Sequence, residues 1–186
     1  MNVDLGLLIL RVAIGSVVLA HGLIKIGWPI SIMGMRGVAA FRGTAGFFGN
    51  LGFWPPLFWA VVSILAEVGG GLLTVFGLGG PLGPGIIFGD MVIVTLTAHW
   101  PYGWWASPQG VGVEFPIPIT AGALALTLIG HGRWALDAAL GLSYPGWLMP
   151  AILILAVVGD AVLLAIRALR RSSAGQAAAP TASGTA

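Results

Sequence analysis

An apolar run long enough to cross a bilayer, with three basic side chains inside it, limits what this chain can fold into. Residues 8–28 read LILRVAIGSVVLAHGLIKIGW and contain Arg11, His21 and Lys25. About 20 apolar residues cross the ~30 Å hydrocarbon layer, and an Arg or Lys at its centre costs about 2.5–3.5 kcal/mol on insertion scales. A fold that keeps such charges must bring partners to them. The run reads as a spanning helix and not as a cleaved signal peptide, because its only early charge is Asp4 and no basic stretch precedes it.

Four more runs have the same character. Hydropathy places spans at about residues 5–28, 55–78, 82–100, 116–131 and 147–169. With 58% hydrophobic and 8% charged residues, against about 25% charged in soluble domains, the chain cannot cover a water-facing surface. The reading is an all-α, polytopic membrane helix bundle in contact with the lipid bilayer. A net charge of +2, scattered along the chain, gives no footprint for nucleic acid. With no cysteine, disulfides, thiol catalysis, iron–sulfur ligation and c-type haem attachment are excluded.

Between the first two spans an amphipathic, Gly-rich stretch predicts an interfacial helix near residues 35–48. GLGGPLGPG is a tight turn and not a phosphate loop, since no strand–helix–strand pattern surrounds it. The fourth span opens on Pro116 and Pro118, which predicts an irregular first turn. Residues 172–186 are low-complexity and expected to be disordered. Arg36 and Arg42 in the first loop fall on the same side as Arg167, Arg170 and Arg171 after the last span. The positive-inside rule then puts the N-terminus outside and the tail in the cytoplasm of a cell-membrane protein.

Helical geometry gives the polar residues a common direction. At about 100° per residue, Asp4, Arg11, His21 and Lys25 share one face of the first span, with Gly15 and Gly22 on or beside it. In the second, Ser63, Glu67, Gly70, Gly71 and Thr74 form one stripe; in the third, Gly83, Asp90 and Thr97 recur every seven residues. At ~1.5 Å per residue, Lys25 lies about 4 Å below the cytoplasmic interface, His21 about 10 Å, Asp90 about 13–15 Å and Glu67 about 18 Å. His21, Lys25, Glu67 and Asp90 are therefore the candidate catalytic set, lining one cavity open to the cytoplasm. Arg11 is deeper and expected to be structural. His99 and Glu114 sit at the interface, and His131 and Asp160 read as structural.

Competing readings stand beside each residue. Lys25 and Glu67 can be a register-fixing pair, and Lys25 can snorkel to the headgroups. His21 can be a neutral packing residue. A bis-histidine haem needs facing histidines at like depth, and His21 and His99 differ by about 10 Å. A metal site of His21, Glu67 and Asp90 has no diagnostic spacing.

The same residues carry a family likeness. LRVAIGSVVLAHGLIKIGW, with Arg11, His21, Gly22 and Lys25, resembles the opening helix of the DoxX/DoxD family. LAEVGGGLLTVFGL, with Glu67, Gly70 and Gly71, resembles its second helix, and GHGRWALDAAL, with Arg133 and Asp137, the segment closing its core. The likeness covers about residues 5–140. It implies a DoxX-like four-helix core over residues 1–140, to which residues 141–171 add a C-terminal transmembrane helix before the tail. It also implies a link to membrane redox chemistry. DoxD-like members are subunits of thiosulfate:quinone oxidoreductase, and mycobacterial DoxX-like members associate with superoxide dismutase and a thiosulfate sulfurtransferase.

Three functions fit. The first is an oxidoreductase subunit acting on or near a quinone or a sulfur oxyanion, its electron carrier supplied by a partner subunit. The second is a non-enzymatic scaffold docking soluble redox enzymes, and the third a small transporter. A homo-oligomer is compatible with each.

Overall fold

The apolar runs fold as helices, and no strand forms among the described residues, 2–28 and 34–177 of the computed structural model. They are α1 (Asn2–Ile24), α2 (Val38–Asn50), α3 (Pro56–Phe76), α4 (Leu82–Val94), α5 (Pro116–Ile129), α6 (Leu136–Ala139) and α7 (Leu148–Ala177). A π-helical turn (Thr95–His99) and a 3-10 turn (Trp100–Tyr102) extend α4. Proline starts α3 and α5, where its fixed φ suits a first turn and its missing N–H removes nothing. Gly77 stops α3 in the left-handed conformation (φ 63°), its N–H returning to Leu73 and Thr74.

Four helices are long and apolar enough to cross a membrane: Asn2–Ile24, Pro56–Phe76, Leu82–Tyr102 and Leu148–Ser173. The fourth expected span is shorter than its hydropathy suggested. α5 has 14 residues, about 21 Å at ~1.5 Å each, and it ends where Gly130 takes φ 88°. Residues 130–147 then fold back as an irregular cap that buries His131, Ala135 and Asp137. The interfacial helix expected near 35–48 is α2. α7 runs on to Ala177, so the first six residues of the expected tail are helical; its remainder, 178–186, lies outside the described residues.

Small residues set the packing. A Cβ placed on Gly71 would lie 2.8 Å from the Leu19 Cβ and 2.9 Å from the Gly15 carbonyl oxygen, and one on Gly15 would lie 2.9 Å from the Gly71 carbonyl oxygen. α1 and α3 therefore meet backbone to backbone, antiparallel. The adjacent Gly70 faces α4 in the same way, 3.2 Å from the Gly83 carbonyl oxygen. The buried residues of α3 beyond Ala60 are Ser63, Glu67, Gly70, Gly71 and Thr74, the stripe read from the sequence. A core of Ile14, Val18, Ile87, Met91, Ile119, Ala123 and Leu126 joins α1, α4 and α5. Ala45, Phe48, Phe53 and Ala60 seat α2 and its following loop on α3.

α7 lies outside this four-helix core, parallel to α4, with Ile152 on Gly85 and Ala156 on Gly89. Its outer face is hydrocarbon, Leu155 being 74% and Leu169 70% exposed. Its C-terminal half is tied to the α2–α3 loop: the Arg167 Nε–H donates to the Leu51 carbonyl at 2.6 Å, and Arg171 covers Gly52. Arg167 and Arg171 thus gather at the end of the bundle that carries α2 with Arg42.

Candidate functional site

The buried acid of the α3 stripe organises the site. Glu67 is 3% exposed, and its Oε2 lies 2.6 Å from the Lys25 Nζ, just beyond the last turn of α1. Lys25 also donates to the Ser63 hydroxyl, one turn from Glu67, and stands 5.8 Å from the centre of the Phe48 ring. Gly22 makes this pairing possible, since a Cβ there would sit 2.9 Å from the Glu67 Cβ. An ion pair with an added hydrogen-bond partner is the form in which buried charges are tolerated.

Two histidines complete one side of this acid. The His21 Nδ1 lies 2.8 Å from the Val17 carbonyl, and the His99 Nδ1 2.8 Å from that of Val111. A carbonyl only accepts, so each neutral ring carries its proton on Nδ1 and keeps the Nε2 lone pair free. Both rings border a cavity of about 330 Å³, with Glu67, Phe115 and a largely aliphatic wall that includes Val17, Val18, Met91, Val94 and Ile119. His21 also stacks on Phe115, ring centres 5.7 Å apart. The π-helical turn is what aims His99 here; such turns recur at functional sites.

The four candidate residues do not share a single cavity. His21 and Glu67 border the one just described, whereas Asp90 opens into a second of about 400 Å³, with Ser63, Trp59 and Asp160. Lys25 borders neither and sits on Glu67 between them. Asp90 points toward α7, a helix to which the sequence reading assigned no part in the site. No hydrogen bond joins His21 to Glu67; they share the cavity wall. His99, kept apart from His21 by depth, reaches the same cavity because the cavity spans that difference.

Arg11 finds its partners in the backbone, a structural role. The residue is 4% exposed, and its guanidinium donates to the backbone carbonyls of Val75 and of Trp134, the latter at 2.6 Å. Val75 lies in the last turn of α3, where carbonyls have no helical partner and the dipole favours a cation. Asp4 instead pairs with Arg133 at 2.8 Å, tying the start of α1 to the cap. Asp137 closes the cap, accepting from the Gly79 and Gly80 N–H groups at 3.0 and 2.7 Å and from the Tyr144 hydroxyl at 2.8 Å. Burial works to raise its carboxyl, but these donors outweigh it and hold the group below its ordinary range. His131, 3.8 Å from Asp137, is pushed down by burial, with the carboxylate opposing.

Among the described residues, no three His, Cys, Asp or Glu side chains are placed to hold a metal ion. The fold and this geometry define a small polytopic helical membrane protein with an ion pair and two histidines around an apolar cavity. The sequence profile of the DoxX family matches residues 6–100, just over half of the chain, and the protein belongs to that family. The match takes in α1 to α4, with Arg11, His21, Lys25, Glu67 and Asp90; Arg133, Asp137 and α7 lie beyond it. No curated protein and no solved structure matches the chain.

Proposed function

We propose that the protein is the membrane subunit of a redox system that handles a quinone or a sulfur oxyanion in the His21–His99–Glu67 cavity, with electrons supplied by a partner protein. The observation that carries this reading is the double position of Glu67, which is paired with Lys25 at 2.6 Å and borders an apolar cavity beside two imidazoles. Reducing a quinone to a quinol takes two electrons and two protons. The partner's carrier gives the electrons, and protonated Nε2 groups of His21 and His99 deliver the protons to the ring oxygens. Glu67 recharges each histidine in turn, taking a proton from the Lys25 ammonium and passing it on; Lys25, 21% exposed at its side chain, regains a proton from water and pairs again with the carboxylate. The aliphatic wall excludes water and suits a lipid-soluble ring. Asp90 faces the other cavity and takes no part in this step.

Glu67→Gln tests the reading, because it keeps the shape and most hydrogen bonds while removing the titrating proton. The variant is expected to reach the membrane at the normal level and to lose the quinone-linked activity of the copurified complex. Normal activity in a folded Glu67→Gln protein would overturn proton transfer through Glu67. It would instead favour a scaffold that docks soluble redox enzymes through its exposed loop of Trp100, Trp104 and Trp105.

A further inference from the structure

We infer that the cavity between α3, α4 and α7 is a binding site for a hydrophobic amine, separate from the Glu67 site. Asp90 of α4 and Asp160 of α7 both border this space of about 400 Å³. Their Oδ2 atoms are buried, and neither has a hydrogen-bond partner. The two carboxyls open into the same space from facing helices, Ala156 and Asp160 of α7 lying over Gly89, the neighbour of Asp90. A buried carboxylate oxygen without a donor is costly, so the pair calls for a cation.

The two cations that touch the lining of this space are committed elsewhere. Lys25 is held by Glu67 and Ser63, and Arg167 is spent on the Leu51 carbonyl and the Phe53 ring. With Lys25 and Glu67 cancelling, an incoming cation is what would hold the two aspartates ionised. The rest of the wall is largely apolar, and Trp59 adds an aromatic ring of the kind a cation favours, the Phe48 and Phe53 rings already facing Lys25 and Arg167. A few polar groups in an otherwise apolar space of this size is the usual form of a small-molecule site.

Depth selects the occupant. Asp90 is eight residues into α4 and Asp160 twelve into α7, about 12 and 18 Å along their axes at ~1.5 Å per residue. A phospholipid headgroup does not reach that far, whereas a free amine with a hydrocarbon or aromatic body does. The ammonium bridges the two carboxylates, and the body lies along Ile93 and Leu163.

The test uses the full chain in a neutral maltoside detergent, at mildly alkaline pH. The probe is a dansyl fluorophore on a pentylamine tail, compared with the same molecule ending in an alcohol. The amine is expected to bind saturably, about tenfold or more tighter than the alcohol. Asp160→Asn and Asp90→Asn should each raise the Kd for the amine about tenfold and leave that for the alcohol unchanged. Two variants guard against misfolding of one. Equal binding of amine and alcohol would show that the carboxyls are protonated and the site is not cationic. Displacement of the probe by phosphatidylethanolamine would assign the site to a lipid headgroup. Either result, or unchanged binding in both Asn variants, overturns the inference.

Discussion

Gly71→Ala, compared with Gly69→Ala two residues away, isolates the contact that holds α1 on α3. Both substitutions exchange glycine for alanine inside one helix, so both gain about 1 kcal/mol of helix propensity. They differ in what the new methyl meets. At Gly69 nothing lies within 4 Å. At Gly71 the methyl would stand 2.8 Å from the Leu19 Cβ and 2.9 Å from both the Gly15 carbonyl oxygen and the Leu19 nitrogen. Ordinary carbon contacts are at about 3.5–4.0 Å, so α1 must retreat by roughly 1 Å. Two of the three obstacles are backbone, and no rotamer change relieves them. Overpacking of this kind costs about 1–3 kcal/mol. Gly69→Ala should therefore match or exceed the wild type, and Gly71→Ala should fall about 1–3 kcal/mol below Gly69→Ala. At about 2–4 °C per kcal/mol for a chain of this size, the two melting points should differ by about 2–12 °C. The assay is thermal unfolding in mild detergent followed by tryptophan fluorescence, for which the chain has eight reporters. Gly71→Leu should lower the transition further. Coincident transitions for the two alanine variants would mean that α1 does not lie against Gly71.

Other outcomes test the charges. Lys25→Met strands Glu67 as an uncompensated buried acid and should cost about 3–5 kcal/mol; adding Glu67→Gln should recover most of it, and a single variant as stable as the double would deny the pairing. Burial holds His131 below its ordinary 6.5 in the fold, so the unfolded chain takes up its proton first and acidification through that pH lowers the melting temperature. Asp137, held below 3.8, adds a further loss as pH falls below that value. His131→Asn should remove the part of the decline that begins near 6.5, and a profile superimposed on the wild type would refute it. A reporter active only in the cytoplasm should work when fused at the end of the chain and fail at residue 80; activity at both would overturn the proposed orientation.

Periodicity made much of the bundle legible. Ser63, Glu67, Gly70, Gly71 and Thr74 repeat at helical spacing, and a helical wheel finds their common face without a structure. It does not say which neighbour each stripe meets. Gly70 and Gly71 are adjacent in sequence yet face α4 and α1, and Asp90 turns to α7, which offered only Asp160 as a sign of an inward face. Hydropathy counted apolar residues through 131 but could not register that Gly130 leaves the helix. The acceptors of Arg11 are backbone carbonyls at a helix end, invisible to any search for acidic side chains. Straight-helix depth separates His99 from His21 by about 10 Å, whereas a π turn and a cavity of about 330 Å³ let both rings border one space.

The partners of α1 also fix an order of biosynthesis. Lys25 waits 38 residues for Ser63, Arg11 64 residues for Val75, and Asp4 129 residues for the Arg133 segment. At ~5–20 residues per second, these delays are about 2–8 s for the first and about 6–26 s for the last. The first helix thus enters the bilayer before anything neutralises it. A nascent chain stopped after α2 should leave α1 loosely held and extractable from the insertion machinery, whereas one extended past Phe76 should be retained. Assembly therefore proceeds as a sequence of captures, with α3 as the first helix able to hold α1 in place.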